Sequence, residues 1–436
     1  MKTNRNLDVT ASQFGVARIE EYHQQILSTG KYPEIIIDAV AQEPETFLLQ
    51  VYAATYFLYA QRNIGIISAQ EHLLEAEKQL SQVNHREQLI FYAVDAWAHN
   101  DYIQALCLFK SVAQLYPRDT LAVKFAEWLY YCCGQKYYAQ DYLALCEAVY
   151  SHNEDDPSFL AMYAFAQELV GHRLKAEQEA QRALILNPHE AWAQHCLAHV
   201  YHQQGQFAEG INALENWRVD WENISPLLIG HNLWHLALFY IANRQGQQAI
   251  NLLPQILGMF PEVVVSHIDA ISLLWRLELA GFSQPQWLKK LAHIVESAAS
   301  EHFTGFNTLH YIYCLAHGGD EIVLNKALAD LKLFAFAQAG TYSGTLWQEV
   351  IFPFCKAIVA CTHEEYEKAY ELIHPNWRRY LELGGSDAQG EVFAQSYFLC
   401  LLRLGKNKEA KDVFEQSLAH YQNTPLAQSW FDQAQR

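Results

Sequence analysis

Apolar residues recur along this chain at the three- and four-residue spacing of amphipathic helices, and the helical segments come in pairs. The clearest pair spans residues 158–188, with Gly171 at the turn and Pro188 after the second helix. The same order returns about 34 residues later, with Gly205 at the turn. Because one helical hairpin cannot bury its own apolar face, a repeat of this kind predicts that successive hairpins stack.

Outside residues 85–220, the chain continues this pattern with a weaker register. Sustained period-2 alternation bounded by hairpin turns is not found, so no sheet is expected. The sequence predicts an all-α fold, a tetratricopeptide-like α-solenoid in which antiparallel helix pairs form a right-handed superhelix. Helices are expected at about 12–29, 32–42, 44–61 and 67–82, then as a hairpin over 225–257, and as pairs at 262–280 with 285–300, 303–317 with 320–338, 346–361 with 364–382, and 387–404 with 407–420.

We interpret residues 1–436 as a single continuous solenoid, since no low-complexity linker interrupts it. Its parts are N-terminal helices (1–84), the clearest repeats (85–220), and degenerate repeats that end in a capping hairpin (221–436). Ser386 followed by Gln389 has the spacing of a capping box, which predicts a helix start there.

Composition narrows the range of partners. The formal net charge is −18, which argues against a nucleic-acid backbone and an anionic lipid surface, since both attract basic proteins. No apolar run reaches the length of a membrane span. The first residues are not followed by the apolar core of a secretory signal, so none is expected. Nine scattered cysteines without a Cys-x-x-Cys pair are typical of reduced thiols. These features predict a cytoplasmic protein with neither nucleic acid nor a membrane as partner.

Histidines occur at helical spacing on two of the predicted first helices. His195, His199 and His202 are separated by four and then three residues, and His231 with His235 repeats the four-residue step. This spacing places each set on one side of its helix, beside the apolar packing positions. Because first helices line the concave surface of such arrays, we expect up to five imidazoles to converge in one groove.

Three hypotheses account for these histidines. They could make hydrogen bonds between helices and line a polar groove. Alternatively, His195 with His199 and His231 with His235 could hold a divalent metal, although neither pair encloses the glutamate of the metalloprotease motif. In the third hypothesis, the same four imidazoles act as general acids and bases without a metal.

Further residues on first helices are candidates for contact with a ligand in this groove. Glu168 could orient an imidazole, or it could be a solvated carboxylate. Asp269 and Arg276 are seven residues apart and share a helix face, where they could meet a ligand or form ion pairs between repeats. His310 could equally be packed in the core. The candidate ligand-binding residues are His202, Glu168, Trp192, Trp234, Asp269, Arg276, His310 and Gln389.

Several stretches resemble the tetratricopeptide repeat protein 38 family over nearly the whole chain. The most specific are His-Asn-x-x-His, which begins at His231, and Gly-Gly-Ser-x-Ala-Gln over 384–389. The others are 86–89, 119–125, Trp192 with His195 and His199, Asp269 with Trp275 and Arg276, and Asn307 with His310. The resemblance implies an all-helical solenoid and assigns no reaction. Family members carry a His and an acidic residue directly after the second histidine of the first pair, whereas Val200 and Tyr201 follow here, which weakens a metal site built on an adjacent carboxylate.

The leading hypothesis is a helical-repeat protein whose His-lined concave pocket binds a small-molecule or peptide ligand. An enzyme that uses His195, His199, His231 and His235, with acid–base or metal-assisted chemistry, is the first alternative. A protein–protein interaction scaffold is the second, but a scaffold needs no focused group of imidazoles. The pattern names no cofactor beyond the candidate divalent metal, and it does not specify an oligomeric state.

Overall fold

The computed structural model describes residues 1–258, 263–338 and 342–434 of the chain. Within these ranges, regular structure is helical, and β-pairing is limited to isolated bridges. The all-α class and the tetratricopeptide-like solenoid architecture predicted from the sequence are confirmed. Among the described residues, no helix combines the length and the apolar character needed to cross a membrane.

The chain divides into two compact units, of which the first comprises Met1–Val200 with Trp217–Leu228. Successive helices in this unit pack as hairpins, including α3 on α4, α5 on α6 and α9 on α10. Its helices are α1 (Gln13–Leu27), α2 (Ile35–Gln42), α3 (Phe47–Leu58), α4 (Asn63–Glu77), α5 (His85–Ala98), α6 (Tyr102–Leu115), α7 (Thr120–Cys133), α8 (Ala139–Asn153), α9 (Pro157–Leu169), α10 (Arg173–Leu186) and, as far as Val200, α11 (Ala191–Gln203).

The second unit comprises Tyr201–Asn216 with Ile229–Arg436. Here α16 packs on α17, α20 on α21 and α22 on α23. Its helices are the end of α11 from Tyr201, α12 (Phe207–Trp217) as far as Asn216, α13 (Pro226–Ala242) from Ile229, α14 (Gly246–Gly258), α15 (Val264–Leu279), α16 (Pro285–Val295), α17 (Gly305–Gly318), α18 (Glu321–Ala337), α19 (Tyr342–Leu346), α20 (Phe352–Thr362), α21 (Tyr366–Ile373), α22 (Asp387–Arg403), α23 (Asn407–Ser417) and α24 (Pro425–Ala434). Such a division fits one solenoid or two domains, so the predicted single solenoid stays a prediction.

Local signals in the sequence coincide with the observed helix boundaries. Gly171 and Gly205 have φ angles of +91° and +71°, a left-handed conformation that costs glycine little and ends the first helix of each repeat. At the start of α22, the Ser386 hydroxyl accepts from the backbone N–H of Gln389, and the Gln389 side chain accepts from that of Ser386. The predicted capping box is therefore confirmed.

The last third of the chain departs from the predicted helices. The helix expected over 364–382 is α-helical only to Ile373, and His374–Glu382 follows as 3₁₀ turns with a kink at Asn376. Pro375 explains this change, because it has no N–H to donate to the preceding turn. The helix expected from 346 contains a π-helical turn at Trp347–Ile351, and α24 was not predicted. Residue 262, the expected start of the next helix, lies outside the described residues.

Candidate functional site

Two histidines of α11 belong to a cluster of stacked rings in the first unit, made of Phe165, Trp192, His195 and His199. The Trp192 ring stacks on that of His195 with centroids 4.4 Å apart and an interplanar angle of 22°. Phe165, from α9, lies 5.4 Å from His195 and 4.9 Å from His199, and the two imidazoles are 4.7 Å apart. Both are buried. The four-residue spacing has therefore brought the rings together on one helix face, in apolar surroundings.

Charged side chains flank this ring cluster. The predicted candidate Glu168 places Oε2 3.7 Å from His199 Nδ1, close enough for electrostatic interaction. Trp192 Nε1 donates to Glu127 Oε1 at 3.0 Å. Lys124 Nζ lies 3.7 Å from the centre of the Trp192 ring and 2.6 Å from Glu127 Oε2. Lys124 and Glu127 come from α7 and were not predicted as site residues, although the family-like stretch 119–125 contains Lys124.

A histidine–aspartate pair forms in the second unit between α13 and α15. His231 Nδ1 lies 3.0 Å from Asp269 Oδ2 and 3.2 Å from Oδ1. Because an ionised carboxylate only accepts, Nδ1 carries the proton, and in the neutral ring Nε2 keeps its lone pair. The side chain of His231 is 13% exposed, against 2% for Asp269. The carboxylate is therefore covered, while a small part of the His231 side chain is exposed.

Two further rings of α13 hold this imidazole. The Trp234 ring lies nearly parallel to that of His231, with centroids 5.3 Å apart and an angle of 12°. The His235 ring is 4.9 Å from each and roughly perpendicular to both. Trp234 and His235 are fully buried. Stacking on one face and the carboxylate on one edge together fix the orientation of His231.

Arg276, another predicted ligand contact, makes its hydrogen bonds inside the protein. It donates to the backbone carbonyls of Ala388 and Gln389 at 2.7 and 3.0 Å, and so joins α15 to the start of α22. Its guanidinium also lies 5.1 Å from the centre of the Trp234 ring. Burial lowers the pKa of Arg276 to about 10, which leaves it cationic at neutral pH. It supplies a fixed positive charge to this part of the unit.

His310 and Gln389 also have internal partners. His310 is fully buried, and its Nδ1 donates to the carbonyl of Phe306 at 2.7 Å. Burial lowers the pKa of His310 to about 3, so the ring is neutral at physiological pH. The Oε1 atom of Gln389 accepts from the backbone of Ser386 at 3.1 Å. These contacts explain both residues within the fold, and a ligand-binding role for either stays a prediction.

His202 takes part in a polar cluster that the sequence reasoning missed. Its Nε2 lies 3.0 Å from the hydroxyl of Tyr421 and 3.6 Å from Glu391 Oε2, while Glu391 Oε1 is 2.8 Å from His420 Nε2. Burial alone would raise the pKa of Glu391, but the nearby His420 and His202 lower it overall. These partners lie about 190 to 220 positions from His202, so helical periodicity, a local signal, could not connect them.

The structure thus groups the predicted residues within each unit. His195 and His199 lie with Trp192 and Glu168 in the first unit; the second unit groups His231, His235, Trp234 and Asp269. The predicted convergence of the two His-x-x-x-His pairs, and their joint binding of a metal, stay predictions.

No protein-family model matches the chain. Among solved structures, a human IFIT1 dimer with PPP-AAAA is similar at 15% identity, covers 100% of this chain and 97% of that chain, and has a TM-score of 0.45. A human IFIT1 dimer with m7Gppp-AAAA gives 16%, the same coverage and the same TM-score. The P58(IPK) TPR domain gives 12% identity and a TM-score of 0.23, and covers 81% of this chain and 98% of that chain. These likenesses concern helical-repeat architecture and assign no activity to this chain.

One prediction needs correction in view of these structures. We predicted from the net charge that nucleic acid is not a partner, and the IFIT1 chains, which are similar in fold, are solved with PPP-AAAA and m7Gppp-AAAA. The exclusion was wrong because net charge is a sum over the whole chain, whereas a nucleotide ligand interacts with the charges of one local surface.

Proposed function

We propose that this chain is a helical-repeat protein of the tetratricopeptide repeat protein 38 family, and that it binds a small polar molecule or a short peptide through its first-helix histidines. His231 is the imidazole that contacts the ligand. The observation that carries this proposal is the contact of His231 Nδ1 with both carboxylate oxygens of Asp269, at 3.0 and 3.2 Å.

The geometry of this pair suits recognition of a hydrogen-bond donor or an acidic group. With Nδ1 held by Asp269, the neutral ring of His231 accepts a hydrogen bond at Nε2, and the protonated ring donates one. The stack on Trp234 limits rotation of the ring, so little conformational entropy is lost when a ligand binds. His235, on the same helix, is a further candidate for contact with the ligand.

The His231–Asp269 pair also favours a second candidate function, acid–base catalysis. A carboxylate that fixes the tautomer and orientation of an imidazole is the arrangement by which a general base is prepared. The same pair would present Nε2 of His231 to a divalent metal, because ligating histidines commonly donate their other N–H to a carboxylate. A plain interaction scaffold, the remaining alternative, has no need of such an oriented imidazole.

The proposed location is the cytosol. All nine cysteines are free thiols, which is the state that a reducing compartment maintains.

The test uses the full chain and a panel of polar carboxylates, phosphates, amines and dipeptides, with thermal unfolding as the readout. We expect a compound of the panel to raise the Tm of the wild type, and the shift to vanish in His231→Gln and shrink in Asp269→Asn. His293→Gln is the matched control, because that side chain, on α16 of the same unit, is 88% exposed. An equal shift in the wild type and His231→Gln would contradict the proposal.

A second measurement distinguishes binding from catalysis: any compound that binds is incubated with the protein, and its conversion is followed over time. An enzyme converts the compound, and its rate should fall by about 10²–10⁴-fold in His231→Gln, as expected for loss of a general base. A binding protein leaves the compound unchanged over prolonged incubation. Conversion that is as fast in His231→Gln as in the wild type would exclude this imidazole as the base.

A further inference from the structure

Two histidines and a glutamate lie close together in the second unit. None of them belongs to the His231–Asp269 pair. His202 comes from the end of α11, Glu391 from the first turns of α22, and His420 from the 3₁₀ turn Ala419–Tyr421. One ligand atom from each lies within 4.8 Å of the other two. All three side chains are almost completely buried. Two imidazoles and one carboxylate form a common set of protein ligands for zinc.

The carboxylate lies between the two imidazoles. Glu391 Oε1 is 2.8 Å from His420 Nε2, and Oε2 is 3.6 Å from His202 Nε2. A tetrahedral zinc ion with bonds of about 2.0–2.2 Å requires ligand atoms roughly 3.3–3.6 Å apart. These two separations are close to that range, and one ligand atom from each of the three residues lies within 4.8 Å of the other two, so side-chain rotation would bring all three to one ion.

The contact between His420 and Glu391 is short but poorly aligned as a direct hydrogen bond. His420 Nε2 and Glu391 Oε1 are buried and 2.8 Å apart, yet in the part of the chain that the structure describes neither has a hydrogen-bond partner with acceptable angles. Two buried atoms at this distance usually make a well-aligned charge-assisted hydrogen bond. A metal ion bound by both atoms would supply the partner that the direct contact does not.

The hydroxyl of Tyr421 completes the surroundings. It lies 3.0 Å from His202 Nε2 and donates a hydrogen bond to Glu391 Oε2 at 3.2 Å. We propose that His202, Glu391 and His420 form a binding site for a divalent transition metal, zinc in the first place, with the Tyr421 hydroxyl in contact with two of the three ligands. The bound ion links α11, α22 and the 419–421 turn, and this site is independent of the proposed role of His231.

The experiment is a zinc titration of the full, untagged chain after treatment with a chelator, followed by isothermal calorimetry and by the visible spectrum of the Co²⁺-loaded protein. We expect one equivalent of Zn²⁺ per chain at this site and a rise in Tm with Zn²⁺ concentration, because a ligand that binds only the folded state stabilises it. His420→Gln should weaken Zn²⁺ binding by at least about tenfold, whereas His420→Cys keeps a ligand atom and should retain most of it.

His293→Gln is the matched control and should bind Zn²⁺ as the wild type does. Loss of Zn²⁺ binding in His231→Gln with retention in His420→Gln would assign the metal to the other histidines and overturn the proposal. Absence of any Zn²⁺ binding to the wild-type chain, or affinity unchanged in both His420→Gln and Glu391→Gln, would overturn it as well. If these variants do not fold, a wild-type Co²⁺ spectrum without the intense visible bands of a four-coordinate site decides against it.

Discussion

The helices α11 and α13 carry the same four-residue histidine step, but their imidazoles have different partners. In α11, Trp192 stacks on His195, and Glu168 Oε2 lies 3.7 Å from His199 Nδ1. In α13, Asp269 lies at hydrogen-bond distance from His231. The same spacing therefore yields a buried ring cluster in one helix and an oriented, partly exposed imidazole in the other.

The difference separates two sources of information. Spacing along a helix decides which side chains share a face, and it places a tryptophan ring on a histidine in both helices. The groups that give those rings their chemistry come from other helices, such as α7 and α15. A cation also lies over each tryptophan, Lys124 at 3.7 Å from the Trp192 ring and Arg276 at 5.1 Å from the Trp234 ring.

The largest expected effect is the loss of stability when Trp234 is replaced by alanine, compared with the same change at Trp192. Trp234 is fully buried, and Trp234→Ala should lower the free energy of unfolding by about 3–5 kcal/mol through lost apolar contacts and a cavity. Trp192 is only partly buried, so Trp192→Ala should cost less. Urea unfolding followed by circular dichroism measures both values. If Trp192→Ala proves the more destabilising, the ring cluster of α11 contributes more to the fold than its burial indicates.

The features that the sequence predicted well are those set by neighbouring residues. Gly171 and Gly205 at the turns, the Ser386–Gln389 capping box and the histidine pairs all follow from helical period and turn chemistry, which a window of a few residues contains. The 3₁₀ turns after Ile373 were missed although Pro375 was a visible signal for a break.

The candidate site was predictable only in part for the same reason. Asp269 could be named as a polar residue on a first helix, but its pairing with His231 depends on how α15 packs against α13, 38 positions further along the chain. The partners of His202 were unpredictable, because Glu391 and His420 reach it through the tertiary fold alone. Residue type and helix face were therefore available from sequence, and contacts between distant helices were not.

A histidine on another first helix, His310 of α17, extends the comparison, because its burial makes the stability of the fold depend on pH. Burial holds the pKa of His310 near 3, below the ordinary value of about 6.5, with Arg276 acting in the same direction. The unfolded chain therefore binds a proton at this ring that the folded chain does not, and stability falls as pH drops from about 6.5 toward 3. Between pH 7 and pH 5 this residue should account for a loss of about 2 kcal/mol.

His310→Leu tests this expectation, because leucine fills much of the same space and does not titrate. The variant should lose less stability than the wild type between pH 7 and pH 5 in urea unfolding, while His293→Leu, at an exposed position, should follow the wild type. An unchanged pH dependence in His310→Leu would show that other groups cause the acid sensitivity.

The smallest expected effect is the coupling energy between Lys124 and the Trp192 ring. Its measurement tests whether the charged residues around the ring cluster of α11 act together. Lys124 contacts the Trp192 ring and pairs with Glu127, which itself accepts from the indole. In a double-mutant cycle, Lys124→Met and Trp192→Leu should be coupled by about 0.5–1 kcal/mol, the contribution of a cation–π contact that is partly open to solvent. Trp192→Phe keeps a ring but loses the indole N–H, so a second cycle of Trp192→Phe with Glu127→Gln isolates the hydrogen bond. Coupling confined to the second cycle would mean that Lys124 acts on Glu127 alone, and that the cation above the ring contributes nothing to the stability of α11.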